Sequence, residues 1–290
     1  MRVGVIGHTG YDELPEMLRT LFRAAPDLGV ELHFEPELQE LAQVGDRLDD
    51  LSEIDALVTL GGDGTLLRGA RLLAGKPVPI LGINLGKLGF LTTCSSDDAV
   101  AALRLLATGD YEAEARMTLA ASAVDEAGNT RQRWLALNDF VLHKGGFARV
   151  VRLSIAINGE SIGIYAADGV IISTPTGSTA YSLSAGGPVV VPTVESIILT
   201  PISAHMLAVR PLVIPPDAEI VVETIQNPEE LIVTVDGQVG TNLASGEKLV
   251  VRRAPSAVLI VRFPGTSFFE RMRAKLGWGG LPERVEPRQC

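Results

Sequence analysis

Through roughly the first 110 residues, short apolar runs alternate with segments of helical period. The strand-like runs are residues 2–7, 30–34, 56–60 and 79–84; the helical ones are 14–25, 65–74 and 97–108. A strand followed by a helix cannot pair with the next strand through a tight hairpin. The alternation therefore predicts βαβ units around a mainly parallel, Rossmann-like sheet. From about residue 118 the texture changes to β-rich. Asn158-Gly159 between residues 152–157 and 161–166 is a strong type I′ hairpin signal, and further strands are expected at 209–214, 219–224, 231–235, 248–252 and 257–263. Phe268, Phe269, Met272 and Leu276 recur at helical spacing, so a closing helix with an apolar stripe should pack back on the body. The expected division is an α/β domain over 1–115, a β-rich domain over 116–266, and a helix and tail over 267–290.

Within the first half, Gly61-Gly62-Asp63-Gly64-Thr65 places one carboxylate among glycines where a strand meets a helix. Gly61, Gly62 and Gly64 can take positive φ and let backbone N–H groups approach a phosphate. The helix start adds orphan donors and a favourable dipole. Asp63 is expected to face a ligand and not the core. In such folds the loops leaving the carboxyl ends of the strands bind ligands, and residues 61–64 and 84–88 are both such loops.

In the second half, residues 173–179 hold five hydroxyl side chains, Ser173, Thr174, Thr176, Ser178 and Thr179, around Pro175 and Gly177. Capping a helix needs one hydroxyl, so a loop with five reads as a binding loop, although one or two of them must also cap. Asn138-Asp139 follows the apolar run 134–137 and fits either a turn or a pair contacting ribose hydroxyls. Asp236-Gly237-Gln238, taken alone, reads as an ordinary β-turn. The segment 82–88 imitates a P-loop but is one residue short, with Leu88 where Ser or Thr must stand. His8, His33, His143 and His205 have no metal-ligand spacing, and no Gly-x-Ser-x-Gly elbow is present.

Composition narrows the classes further. The formal net charge of −10 offers nucleic acid no general attraction, so an anionic ligand needs a local basic site. No apolar run approaches the roughly 20 residues of a membrane span. The first residues enter a strand without a signal-peptide pattern, and Cys94 and Cys290 form no disulfide or metal framework. The expectation is a cytoplasmic protein that engages neither membrane nor nucleic acid.

The assembled motifs resemble the NAD kinases, which phosphorylate the 2′-hydroxyl of the adenosine ribose of NAD to give NADP. The resemblance rests on residues 61–65, 86–91, Asn138-Asp139, 168–187, 201–211, 236–238 and Leu276-Gly277-Trp278, in order. It implies ATP as donor with a divalent metal such as Mg²⁺, inorganic polyphosphate being an open alternative, and assembly as a homodimer or homotetramer. It implies that Asp63, beside Gly64, accepts the proton of the attacking hydroxyl, and that Asn138 and Asp139 hold the dinucleotide. The run Thr179, Ala180, Tyr181, Ser182, Leu183 and Ser184 matches the loop around the adenosine, Asp168 matches the carboxylate preceding it, and Thr176 is implied as a further dinucleotide-binding residue. Arg68, Arg149 and Gln238 fall where further dinucleotide contacts lie. One departure is Ala166, where some relatives carry Arg or Lys. The glycine-Asp-glycine-Thr element is shared with diacylglycerol and sphingosine lipid kinases, and a non-catalytic dinucleotide sensor would keep the binding loops. Those two readings are the alternatives.

Overall fold

A computed structural model describes residues 1–87, 89–145, 150–204, 209–225, 231–265 and 267–278. The first part supplies strands β1 (Arg2–Gly7), β2 (Glu31–Phe34), β3 (Asp46–Arg47), β4 (Ala56–Leu60), β5 (Ile80–Asn84), β6 (Cys94–Ser95) and β7 (Glu112–Arg116). Its helices are α1 (Leu14–Ala24), α2 (Pro36–Ala42), α3 (Asp63–Leu73) and α4 (Ala99–Thr108). The remainder supplies β8 (Leu119–Val124), β9 (Thr130–Ala136), β10 (Asp139–Lys144), β11 (Val151–Ile157), β12 (Glu160–Ala167) and β13 (Gly169–Ser173). After the helical turn α5 (Tyr181–Ser184) come β14 (Ile197–Ile202), β15 (Leu212–Ile214), β16 (Ile220–Thr224), β17 (Leu231–Val235), β18 (Val239–Asn242), β19 (Lys248–Arg253) and β20 (Val258–Arg262). The helix α6 (Phe268–Leu276) closes the described chain.

The first sheet runs β3-β2-β1-β4-β5-β20-β7, with β6 beside β5. Its strands are parallel except at the β20–β7 edge. The helices bury regular stripes against it: Leu14, Leu18 and Leu21 on α1, and Leu66, Leu67, Ala70 and Leu73 on α3. The chain leaves β1 toward β2 on one side, while β4 leads to β5 on the other. That reversal makes a topological switch point between the carboxyl ends of β1 and β4, the place where doubly wound sheets bind ligands.

The other two sheets, β15-β14-β13-β10-β17-β18 and β12-β11-β16-β19-β8-β9, share one core that includes Leu119, Phe140, Leu153, Ile172, Val222, Val233 and Leu249. They form an antiparallel β-sandwich. The Asn158-Gly159 hairpin is present, with φ of 51° and 82°, as a type I′ turn requires.

One strand crosses the expected division. Residues 257–263 read as part of the β-rich half, yet β20 lies between β5 and β7, with Ile260 opposite Ile80 and Val258 opposite Arg116. A central strand covered on both faces is apolar throughout, as Val258 to Val261 are, and such a run does not reveal which sheet it completes. In α6 the expected stripe is only partly buried: Met272 is inside, Phe268 and Leu276 are half-buried and Phe269 is exposed, while Arg271, outside that stripe, is buried. Ser267 caps this helix, its Oγ accepting from Phe269 N at 3.2 Å.

Candidate functional site

Asp63 is the first residue of α3, after Gly62 as N-cap, so its carboxylate sits where the helix dipole favours negative charge. Of the three glycines, Gly61 alone has positive φ, at 152°; Gly62 is extended and Gly64 is helical. The Asp63 side chain does not project freely. Its Oδ2 accepts from Phe90 N at 2.8 Å, and its Oδ1 accepts from Leu91 N at 3.0 Å and Thr92 N at 3.2 Å. The expected outward-facing carboxylate is therefore folded against the loop after β5. Gly89 makes this approach possible, because a Cβ there would lie 1.7 Å from Asp63 Oδ1. A carboxylate has about four lone-pair sites, and three are filled here, leaving one on Oδ2.

The same loop is held from behind. Arg262 donates to Leu91 O at 2.9 Å, to Phe90 O at 3.3 Å and to Thr92 O at 3.4 Å. Its Nε also meets Glu114 at 2.9 Å, and Glu114 pairs with Arg116 at 2.7 Å. Arg116 then donates to Thr176 Oγ1 at 3.3 Å, reaching the hydroxyl-rich loop of the sandwich. Burial pushes the Glu114 carboxyl up, but Arg116 and Arg262 outweigh it and hold it below the usual range. Burial, with Arg271 and Arg116 nearby, brings the Arg262 guanidinium down to about 10.

Two distant segments converge on Asn138. Asp236, in the turn between β17 and β18, accepts from Asn138 N at 2.7 Å, from Leu137 N at 3.1 Å and from Asp139 N at 3.2 Å. Opposite, Thr174 N donates to Asn138 O at 2.8 Å, and Gly177 passes so close that a Cβ would stand 2.1 Å from that oxygen. Here the glycine is needed for close approach. Asp236 and Gly237 have φ of 50° and 65°, so the expected β-turn is present, and its carboxylate has a second task that the turn pattern does not reveal.

Beside Asn138 opens a cavity of about 590 Å³ lined by Asp139, His143, Lys144, Asp168, Tyr181 and Asp236, among others. Lys144 Nζ pairs with Asp168 Oδ1 at 2.7 Å. Asp139 is 3% exposed, and burial together with the neighbouring Asp236 pushes its carboxyl up to about 7. Burial also raises Asp236, against the pull of its three N–H donors. The hydroxyls of residues 173–179 turn inward: Thr174 donates to Leu137 O, Ser178 to Pro175 O, Ser173 to Thr174 O and Thr179 to Thr176 O. Of residues 179–184, Ala180 and Tyr181 line the cavity. Ser182 is buried against Thr200 at 3.0 Å, Leu183 is half-buried and Ser184 is exposed.

At the switch point lies a second cleft, of about 550 Å³, lined by His8, Tyr11, Gly62, Gly64, Thr65 and Arg68, among others. Arg68 is bonded to Glu35 at 2.7 Å and to Gly7 O at 2.8 Å. Gln238 also lines this cleft. It donates to Gly64 O at 2.6 Å and accepts from Arg71 at 2.8 Å, so the turn 236–238 has Asp236 in one cavity and Gln238 in the other. Arg149 and His205 lie outside the described residues. Asp236, His143 and Lys144 join the site without a site role in the sequence: Asp236 belongs to a segment that reads locally as a turn and enters the resemblance only as part of 236–238, and the other two stand in no motif. Among the described residues no three His, Cys, Asp or Glu side chains converge as a metal cage.

Residues 3–111 match the family model of the ATP-NAD kinase N-terminal domain, and residues 137–263 match that of the ATP-NAD kinase C-terminal domain. An NAD kinase of Gemmatimonas aurantiaca is 60% identical over 284 residues, 98% of each chain. One of Heliobacterium modesticaldum is 45% identical over 231 residues, 80% of this chain and 81% of the relative. Among solved structures, yeast NADH kinase complexed with NADH aligns with a TM-score of 0.88 at 27% identity, over 99% of this chain and 90% of that one. An NAD kinase from Archaeoglobus fulgidus in complex with ATP gives 0.74 at 26% identity, over 96% and 99%.

Proposed function

The chain belongs to the NAD kinase family, and from that premise we propose that it transfers a phosphoryl group from ATP to the 2′-hydroxyl of the adenosine ribose of NAD, with Asp63 as general base. NAD occupies the cavity beside Asn138, held by Asn138, Asp139, Asp168 and Tyr181, and the donor approaches the N-terminus of α3. The observation that carries this reading is the turn 236–238, which joins the two cavities beside the helix that begins at Asp63. Phosphoryl transfer depends mostly on alignment and charge neutralisation, and a base adds about 10²- to 10⁴-fold. The free lone pair on Oδ2 can take the hydroxyl proton once the hydroxyl reaches it. A divalent cation enters as part of the ATP substrate, held by phosphates and water as Mg²⁺ usually is.

A lipid acceptor fits less well, since the cavity carries Asp139, Asp168, Lys144 and Asp236. The test is NADP formation from NAD, ATP and Mg²⁺, read with an NADP-specific dehydrogenase, with NADH, diacylglycerol and inorganic polyphosphate tried in the same format. Absence of NADP above a no-enzyme control overturns the reading. Asp63→Asn is expected to lower turnover by about 10²-fold or more while NAD binding persists. Near-wild-type turnover would remove Asp63 from the chemistry and leave it as a loop clamp.

Assembly as a homodimer or homotetramer in the cytoplasm completes the proposal. The edge strands β12 and β15 expose Ile164 at 56% and Val213 at 57%, and an unpaired apolar edge favours association. Light scattering should return a mass of two or four chains; a monomer at micromolar concentration would refute this part. Among the described residues no helix is long and apolar enough to cross a membrane.

A further inference from the structure

The switch-point cleft has a shortage of positive charge. Among the described residues its one lining arginine, Arg68, is tied to Glu35, and Glu37 also lines the cleft. In a chain with net charge −10, a polyanionic donor must find its counter-charge elsewhere nearby. A third cleft, of about 490 Å³, lies between α6 and the loop after β5, lined by Lys87, Gly89, Phe90, Arg271, Ala274 and Lys275 among others. Three of these side chains are cationic, and none of those named is acidic. Lys275 Nζ stands 5.5 Å from the centroid of the Phe90 ring, which places its charge over the loop that grips Asp63.

Burial around Arg271 points the same way. Arg271 is 7% exposed and its Nε has no hydrogen-bond partner among the described residues. Arg116 and Arg262, 2% and 5% exposed, are close enough to raise the electrostatic cost of its charge. Against these three guanidinium groups stand Glu114, already shared by Arg116 and Arg262, and Asp63; Glu270 is exposed on the same helix. Buried positive charge in excess of its partners favours a bound anion. The cleft meets the reacting region at Gly89, which is in van der Waals proximity to the Asp63 carboxylate.

We infer that the cleft between α6 and the residues Lys87, Gly89 and Phe90 holds a linear phosphate chain, that of the phosphoryl donor, with Lys87 and Lys275 at its mouth and Arg271 at its floor. This rests on the phosphoryl-transfer reading above and adds a location and a set of cations to it. The chain can belong to a nucleoside triphosphate or to inorganic polyphosphate, because both present the same repeating phosphate.

The probe is inorganic tripolyphosphate, titrated calorimetrically into the full chain without nucleotide. Lys87 and Lys275 are exposed, so Lys87→Gln and Lys275→Gln should fold normally. The double variant is expected to bind tripolyphosphate at least about tenfold more weakly. Lys248→Gln removes the same charge from β19 and should bind as the wild type does. In steady state the double variant should raise the KM for the donor about tenfold or more and leave the KM for NAD within about twofold. Running ATP and tripolyphosphate as alternative donors separates the two sources: a KM rise for ATP assigns the cleft to the nucleotide, and turnover with tripolyphosphate assigns it to polyphosphate as well. Equal tripolyphosphate binding by wild type and double variant, or parallel rises in both KM values, overturns the site. Lysine-dependent binding by a protein that makes no NADP keeps the site and refutes the kinase reading instead.

Discussion

Asp139 and Asp236 bring two carboxyl groups together at one wall of the larger cavity, and the Asp139 carboxyl is pushed up to about 7 by burial and by Asp236. An unfolded Asp ionises near 3.9, so between about pH 4 and pH 7 the folded state binds the extra proton. The sign follows: this group costs folded-state stability as pH rises through that window, and the penalty is complete above it. Asp139→Asn removes the penalty. The variant should gain stability relative to the wild type at pH 8, by about 2–4 kcal/mol, and little or none at pH 4, as read by urea unfolding at both values. A difference that does not change with pH would mean that Asp139 is not protonated in the folded protein. Asp63 shows how far one residue is legible: its place at a strand-to-helix turn is written in the flanking glycines, but its three N–H donors lie 27 to 29 residues onward.

The loop 89–92 is an element without regular structure, ordered by what it touches. Its N–H groups meet Asp63 and its carbonyls meet Arg262, 170 to 172 residues away, so both sides of the backbone are satisfied without a sheet or helix. Gly89→Ala would drive a Cβ into the Asp63 carboxylate. We expect a loss of about 1–3 kcal/mol in urea unfolding together with a fall in turnover. Gly64→Ala provides the contrast, since its Cβ would meet only Gln238 Nε2, at 3.4 Å. Placed in α3, that alanine should leave stability unchanged or raise it by about 0.5–1 kcal/mol, while turnover falls because the methyl narrows the switch-point cleft at the N-terminus of α3. If Gly89→Ala proves neutral in both measurements, the loop does not depend on the clamp. Among the elements, strands and helices with strong periodicity matched expectation closely, as at Leu231–Val235, whereas the inward turn of the hydroxyls at residues 173–179 did not follow from their number.

At the scale of the whole molecule, the α/β part and the sandwich are joined through chain and contact alike. β20 returns from the sandwich to complete the first sheet, and Gln238 bridges to Gly64 and Arg71 of α3. These Gln238 contacts are exposed, so Gln238→Ala should cost less than about 1.5 kcal/mol of stability. It should nonetheless raise the KM for NAD and for ATP together, because the turn lines both cavities; initial rates over a grid of both substrates would show this, and a change in only one KM would refute it. The sequence by itself determined the α/β-then-β order, the type I′ hairpin at Asn158-Gly159 and the glycine-flanked carboxylate opening a helix, because each depends on neighbours within a few positions. The tertiary structure alone decided that Asp236 caps the backbone of Asn138, that Arg262 supports the loop gripped by Asp63, and that Arg271 is buried beside Arg116 and Arg262. The first two relations join residues 98 and 170 to 172 positions apart, and chain folding, not local propensity, brings such groups within hydrogen-bonding distance.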